Sequence, residues 1–222
     1  MLIWIILTRI EKYLKFMLEI NSLQGVKQVE YEKGHYFVLD DFYIWPNQIL
    51  GILDQSKPSL WKAWEKPSFN GIHFFDQRHK LYHPEMNQVI TVLERFLQSK
   101  SKYIDSNILT NLIQFKSSEF NDYENNFWWP HIDHCKFTAI IYLNYDQDSG
   151  TNLYQQIKAD PKGEIEHFMP WRPKIRYKLL TTINSGFNRL AIFPGNQLHG
   201  MSINNSNYFN SNWRLNQVIF FD

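Results

Sequence analysis

A chain of 222 residues is long enough to bury one sizeable hydrophobic core, and we expect a single domain over residues 1–222. Hydrophobic residues make up 44% of the chain and aromatic residues 17%, which excludes a disordered protein and favours a sheet-rich core. The formal net charge of +1 disfavours nucleic acid as a partner, and the single cysteine, Cys135, excludes an internal disulfide framework.

The N-terminal segment, residues 1–30, begins with an apolar run that ends at Leu7. This run is far shorter than the ~20 residues of a membrane span. Its positive charge, Arg9, follows the run, whereas a secretory signal carries its charge first. Apolar residues recur at the spacing of one helical face: Ile3, Ile6, Leu7, Ile10, Leu14, Met17 and Leu18. We therefore predict an N-terminal helix and lead-in packed against the core, no membrane span, and a cytoplasmic protein.

Two further helices and one strand are predicted before residue 100. Tyr36–Leu39 reads as a short strand, and Pro46 suits the first turn of a short helix that ends near Leu53. Residues 56–82 are rich in turn-forming residues and are predicted to be irregular. A second helix begins near Pro84, because apolar residues again mark one helical face: Met86, Val89, Ile90, Leu93, Phe96 and Leu97.

From residue 109 the pattern becomes typical of strands separated by turns. Seven strands are predicted: Leu109–Lys116, Phe127–Asp133, Phe137–Leu143, Thr151–Tyr154, Lys174–Ile183, Asn188–Phe193 and Trp213–Phe221. The Asn-rich stretch Asn204–Asn212 is predicted to be a mobile loop. Helices followed by many strands indicate an α+β fold in which N-terminal helices support one side of an antiparallel barrel, with residues 109–221 as the barrel core.

A possible metal site comes from three residues of this strand-rich half. His131 and Asp133 are two positions apart, so in an extended chain their side chains point to the same side. His199 lies 66 positions after Asp133 and follows another predicted strand and a turn. Two histidines and one carboxylate bind one face of a mononuclear metal ion and leave the opposite face open. The neighbouring His134 should point the opposite way, and Cys135 is more simply explained as a small buried thiol.

Several stretches carry a resemblance to a known family: Phe37–Phe42, Pro130–Asp133, Ala139–Asn144, Ser149–Tyr154, Asn188–His199 and Arg214–Asn216. They resemble the motifs of the 2-oxoglutarate/Fe(II)-dependent dioxygenases, especially the prolyl-hydroxylase-like branch. The family has Gly where this chain has Ser149 and Ser where it has Asn216, and Arg214 follows His199 by 15 positions, a longer gap than is usual in the family. The resemblance implies a double-stranded β-helix, a jelly-roll or cupin-like barrel.

The resemblance also implies roles for six residues. His131, Asp133 and His199 would bind Fe(II), and Arg214, Tyr142 and Asn216 would bind the cosubstrate 2-oxoglutarate. The implied reaction uses dioxygen to hydroxylate a C–H bond of a peptidyl residue or small molecule, with release of succinate and carbon dioxide. Elementary physics agrees for Arg214, because a guanidinium on the inner face of the last strand is unfavourable unless it meets an anion.

Two other classes stay open at this stage. The chain could be a non-catalytic cupin-like module that binds a metal or carboxylate or acts as a scaffold. It could also be a metal-dependent cupin without oxygenase activity, although such proteins usually present more histidines. Any one of these residues alone has an ordinary structural explanation, and only their ordered occurrence favours the oxygenase. The protein or small-molecule substrate is not indicated.

Overall fold

The computed structural model describes residues 18–55, 61–65, 75–81, 86–101, 108–114, 124–145, 149–160, 171–202 and 214–222. The two α-helices in these ranges are α1 (Pro46–Gln55) and α2 (Met86–Leu97). The strands are β1 (Lys27–Tyr31), β2 (Gly34–Leu39), β3 (Trp61–Glu65), β4 (Phe75–Leu81), β5 (Ile108–Gln114), β6 (Asn126–Trp128), β7 (Phe137–Tyr142), β8 (Thr151–Gln156), β9 (Trp171–Pro173), β10 (Tyr177–Ile183), β11 (Arg189–Pro194), β12 (His199–Met201) and β13 (Arg214–Phe221). Neither helix is long and apolar enough to cross a membrane.

The strands form three antiparallel sheets. The largest has the order β1-β2-β11-β7-β13-β5-β4-β3, a second has the order β10-β8-β12, and β6 pairs with β9. The central strands β11, β7 and β13 are not sequential neighbours, so long connections return the chain to the middle of the sheet. Strand β7, which carries Tyr142, therefore lies directly beside β13, which carries Arg214 and Asn216.

One face of the large sheet packs against α2. On β7, Ala139 and Ile141 point to this side, and the facing helix buries Val89 and Leu93 almost completely. The helix forms because its apolar residues recur every three or four positions and supply one continuous buried stripe. This outer cluster is the larger of the two hydrophobic clusters found among the described residues.

The opposite face of the large sheet packs against the small sheet β10-β8-β12. Ile140 and Tyr142 of β7 point inward and join Leu153 of β8 and Ile183 of β10 in the inner cluster. The alternation of β7 between the two clusters follows from the two-residue period of a strand. The result is a two-layer β-arrangement with helix α2 on the outside, and the site described below lies at one end of the inner layer.

These sheets confirm the expected α+β, mainly antiparallel architecture and most of its predicted elements. The predicted strand at Tyr36–Leu39 and both predicted helices after it are present, as are strands at all seven positions predicted beyond residue 108. Among the described strands, the large and small sheets meet through packing and not through a paired strand, so closure into a double-stranded β-helix stays a prediction. The predicted N-terminal helix lies mostly in residues 1–17 and the Asn-rich loop in residues 204–212, outside the described residues.

Three details of the prediction were wrong. Residues 56–82 are not all irregular, because they contain β3 and β4, which extend the large sheet from β5. The predicted strand Phe127–Asp133 ends at Trp128. Trp129 has a positive φ of 40° and is followed by Pro130, which together stop regular pairing. Three short or polar strands were also missed: β1, β9 and β12.

Candidate metal centre

The chain brings His131, Asp133 and His199 together at one point. Their candidate ligand atoms all lie within 4.8 Å of one another, and these three residues form the group of metal-ligating side chains found in the described part of the chain. The Nε2 atom of His199 lies 3.3 Å from Oδ2 of Asp133, and Nε2 of His131 lies 3.9 Å from Oδ1. Donor atoms bound ~2.1 Å from one ion lie ~3–4 Å apart, so this spacing suits a shared metal ion.

Backbone pairing brings the three residues together. His131 and His199 form a reciprocal bridge in which each amide N–H donates to the other residue's carbonyl at 2.8 Å. The amide of Asp133 donates to the carbonyl of Gly195 at 2.8 Å. The two segments thus lie against each other although they are more than sixty positions apart in the chain.

Two glycines permit this close approach. A side chain at Gly200 would collide with the carbonyl oxygen of Trp128, and a side chain at Gly195 would collide with the carbonyl and sulfur of Cys135. Glycine is therefore required at both positions for the strand that carries His199 to lie against the segment that carries His131.

Each imidazole is oriented by a backbone carbonyl. Nδ1 of His131 lies 2.7 Å from the carbonyl oxygen of Trp129, and Nδ1 of His199 lies 2.8 Å from the carbonyl oxygen of Gln197. A carbonyl only accepts, so Nδ1 must be the donor in both rings, and the neutral rings then present the lone pair of Nε2. The left-handed backbone at Trp129 aims its carbonyl at His131, so local strain coincides with the site.

The carboxylate of Asp133 is held in ionised form. Burial alone opposes ionisation, but the pKa of Asp133 lies below its ordinary value because His199, when its ring carries a second proton on Nε2, donates a hydrogen bond and adds a favourable charge. Thr138 also donates a hydrogen bond to the carboxylate, and a protonated His131 adds a further favourable charge interaction. The hydroxyl of Thr138 donates to Oδ2 at 2.7 Å. The side chains of His131, Asp133 and His199 are 27%, 17% and 6% exposed, so one side of the group is open to solvent.

The second predicted group lies further along the inner face. Arg214 is buried, and its guanidinium carbon lies 5.9 Å from the ring centre of Tyr142. Nε of Arg214 donates to the carbonyl of Ser149 at 2.8 Å. Asn216 is buried and pairs in register with Tyr142 across β13 and β7. The structure therefore brings Arg214, Tyr142 and Asn216 together, and their role in binding 2-oxoglutarate stays a prediction.

Tyr142 has a specific partner inside the inner layer. Its hydroxyl donates to Oγ1 of Thr151 at 2.7 Å. Burial raises the pKa of Tyr142, and the charge of Arg214 partly opposes that rise. The phenol therefore stays neutral at pH 7 and keeps its O–H as a donor. Thr138 and Tyr142 point to the same side of β7 four residues apart, which separates their Cα atoms by ~13 Å.

Sequence reasoning missed both threonines. Thr138 and Thr151 contact Asp133 and Tyr142, respectively. Thr138 carried a usable signal, because its even spacing from Tyr142 on one strand places it on the inner face. His134, set aside from the sequence, is exposed and is not a member of the metal-ligating group.

Comparisons with known proteins find similarity in fold and none in sequence. No protein-family model matches the chain, and no curated protein matches it in sequence. One similar solved structure is a prolyl-4-hydroxylase from Pseudomonas putida, with 9% identity, coverage of 84% of this chain and 91% of that chain, and a TM-score of 0.47.

Two further structures of this kind are similar. The non-heme alpha-ketoglutarate-dependent epimerase SnoN from nogalamycin biosynthesis has 14% identity, coverage of 84% of this chain and 75% of that chain, and a TM-score of 0.49. An oxidoreductase of the 2OG-Fe(II) oxygenase family from Burkholderia pseudomallei has 10% identity, coverage of 79% and 78%, and a TM-score of 0.44. Because the identities are only 9%, 10% and 14%, the chemistry of this chain has to be inferred from its own side chains.

Proposed function

We propose that this protein is an Fe(II)- and 2-oxoglutarate-dependent dioxygenase with its activity in one domain, residues 1–222. The observation that carries the proposal is the convergence of His131, Asp133 and His199, each with an oriented donor atom. Two imidazole nitrogens and one carboxylate oxygen form the donor set of mononuclear non-heme Fe(II) oxygenases. The residues present therefore fit the metal that the sequence resemblance implies.

The fit extends beyond the three donor atoms. In metal sites, a ligating histidine usually donates its other ring N–H to a carbonyl or carboxylate, which fixes the tautomer and the ring direction. Both His131 and His199 have such a carbonyl at hydrogen-bond distance. If two histidines and an aspartate lay close together by chance, there would be no reason for both Nδ1 atoms to face a backbone carbonyl.

The cosubstrate proposal depends on Arg214 and Tyr142. Arg214 is buried on the inner face of β13, beside Tyr142, and its guanidinium donates to the backbone carbonyls of Ser149 and Gly150. The distal carboxylate of 2-oxoglutarate would supply a full charge in the forked geometry that a guanidinium favours. Tyr142 would donate its phenolic hydrogen to the same carboxylate, and Asn216 would complete the polar surface beside it.

The chain's own residues would bind, orient and exclude water. When bound, iron and 2-oxoglutarate supply the oxidation of a C–H bond by dioxygen, with release of succinate and carbon dioxide. His131, Asp133 and His199 would hold the metal from one face, and Arg214 would fix the direction of the diacid. Ile140 lies between Thr138 and Tyr142 on the inner face of β7, and Leu153 pairs in register with His199, so these buried apolar side chains would help to keep bulk water from the site. By the sequence resemblance, the substrate is a peptidyl residue or a small molecule.

The test measures succinate from 2-oxoglutarate in the presence of Fe(II) and dioxygen, with and without peptide and metabolite pools. The wild-type protein is expected to release succinate, and a pool that contains the substrate should increase the rate. Asp133→Ala is expected to lose this activity, while His134→Ala, one position away and exposed, should keep it. Equal succinate release from wild type and Asp133→Ala would contradict the proposal and favour a non-catalytic binding module.

A further inference from the structure

Thr138 occupies a special position beside the metal-ligating group. Its side chain is almost completely buried, and its hydroxyl donates to Oδ2 of Asp133 at 2.7 Å. Oδ2 is also the oxygen that lies 3.3 Å from Nε2 of His199. A side-chain hydroxyl thus holds the carboxylate, and a backbone carbonyl lies at hydrogen-bond distance from Nδ1 of each histidine.

A carboxylate needs such a contact more than an imidazole does. Rotation about the Cβ–Cγ bond of an aspartate exchanges its two oxygens and changes the direction of the lone pairs, and this terminal torsion is broad. A short hydrogen bond to one oxygen restricts that rotation. The carboxylate of Asp133 is therefore kept in one orientation before any ion arrives.

Thr138 is itself rigid. It lies in the middle of the large sheet, where β7 pairs it with Phe193 of β11 on one side and Phe220 of β13 on the other. A β-branched side chain in a strand has restricted χ1 freedom. The Sγ atom of Cys135 lies 3.5 Å from the threonine oxygen and limits its movement from the loop side. The Thr138 hydroxyl therefore has a fixed position, and it can hold the carboxylate of Asp133, which lies in a loop.

We propose that Thr138 is a positioning residue that orients the Asp133 carboxylate for metal binding. This inference rests on the proposed function, because it requires Asp133 to be a metal ligand. Thr138 would act through Asp133 and would not touch the metal or the substrate. Removing its hydroxyl leaves all three ligands in the chain but frees the carboxylate to rotate.

The experiment measures the affinity of the purified protein for Mn(II), without 2-oxoglutarate or substrate, by calorimetric titration. Thr138→Val keeps the shape of the side chain and removes the hydroxyl, and Thr138→Ser restores it. The matched control is Thr182→Val on β10, which removes a threonine hydroxyl that donates a 2.7 Å hydrogen bond to Oδ1 of Asn152, a residue that is not a candidate metal ligand. Melting temperatures of all variants separate metal affinity from general stability.

We expect Thr138→Val to bind Mn(II) about 10–100-fold more weakly than wild type, the usual effect of removing the partner of a metal ligand. Thr138→Ser and Thr182→Val should bind close to the wild type. If Thr138→Val fails to fold, Thr138→Ala provides the same measurement without the added methyl group. Mn(II) binding by the hydroxyl-free variant as tight as that of Thr182→Val would overturn the inference. Absence of Mn(II) binding by the wild type would instead overturn the proposed function, and the inference with it.

Discussion

Replacing Arg214 with methionine should remove the preference for a cosubstrate that carries a second carboxylate. The guanidinium is buried, lies 5.9 Å from the Tyr142 ring and presents a fork on the inner face of β13. Hydrogen bonds to charged groups contribute ~1.5–3 kcal/mol each, so a forked pair is worth ~3 kcal/mol after the loss of existing contacts. At ~1.4 kcal/mol per factor of ten, this corresponds to a preference of ~150-fold.

The assay compares 2-oxoglutarate with 2-oxopentanoate, which has a methyl group in place of the distal carboxylate. Competitive binding of the two acids to the Mn(II)-loaded protein gives a ratio of affinities for each variant. Arg214 also donates to the carbonyl of Ser149, so its removal will disturb the neighbouring turn. That disturbance weakens both acids alike and cancels in the ratio, which isolates the interaction with the distal carboxylate.

Two variants sharpen the comparison. Arg214→Lys keeps the charge but loses the fork, and we expect an intermediate ratio. Arg189 pairs in register with Tyr142 from the other neighbouring strand but forms an ion pair with Asp40 at 2.6 Å. Arg189→Met should therefore leave the ratio unchanged. An unchanged ratio in Arg214→Met, or a collapsed ratio in Arg189→Met, would show that another cation holds the diacid.

Two stability predictions concern charged groups away from the site. Arg172 and Asp160 form an ion pair at 3.6 Å with side chains 1% and 2% exposed, so Asp160→Asn should destabilise the protein by ~3 kcal/mol because it leaves a buried guanidinium uncompensated. Combining it with Arg172→Met should recover most of that loss in urea unfolding, and strictly additive losses would contradict this explanation. The Ser101 amide lowers the pKa of Glu94 below its ordinary 4.5, so the carboxylate stabilises the fold at neutral pH and less as the pH falls below 4.5. Glu94→Gln should thus lower the free energy of unfolding by about 1 kcal/mol at pH 7 and by much less at pH 3, as measured by urea unfolding at both pH values. A loss of stability that is the same at both pH values would contradict this role of the Glu94 carboxylate.

The sequence predicted the elements that are governed by periodicity. Helix α2 was predictable because its apolar residues recur at helical spacing and bury one stripe, from Met86 to Leu97. Strand β7 was predictable because Phe137–Tyr142 is a continuous apolar run buried on both faces. The convergence of His131, Asp133 and His199 was predictable because it depends on residue type and order, which the sequence displays directly.

What the sequence could not predict depends on tertiary pairing. Strand β4, Phe75–Leu81, is polar in sequence, and its place in the large sheet comes from hydrogen bonding to β3 and β5. The left-handed backbone at Trp129 interrupts what otherwise reads as an extended strand. The partnership of Thr138 with Asp133 depends on how a loop folds back over β7, and no local pattern reports that contact.

The measurement that tests the central claim most directly is an anaerobic titration of the purified protein with Fe(II) in the presence of 2-oxoglutarate. Joint binding of both should produce a weak visible charge-transfer band that saturates at one iron per chain and is lost in Asp133→Ala. The band should persist in His134→Ala, whose side chain is exposed and lies outside the metal-ligating group. Failure of the wild type to develop the band, or an equal band in Asp133→Ala, would contradict the assignment of His131, Asp133 and His199 as the ligands of one iron.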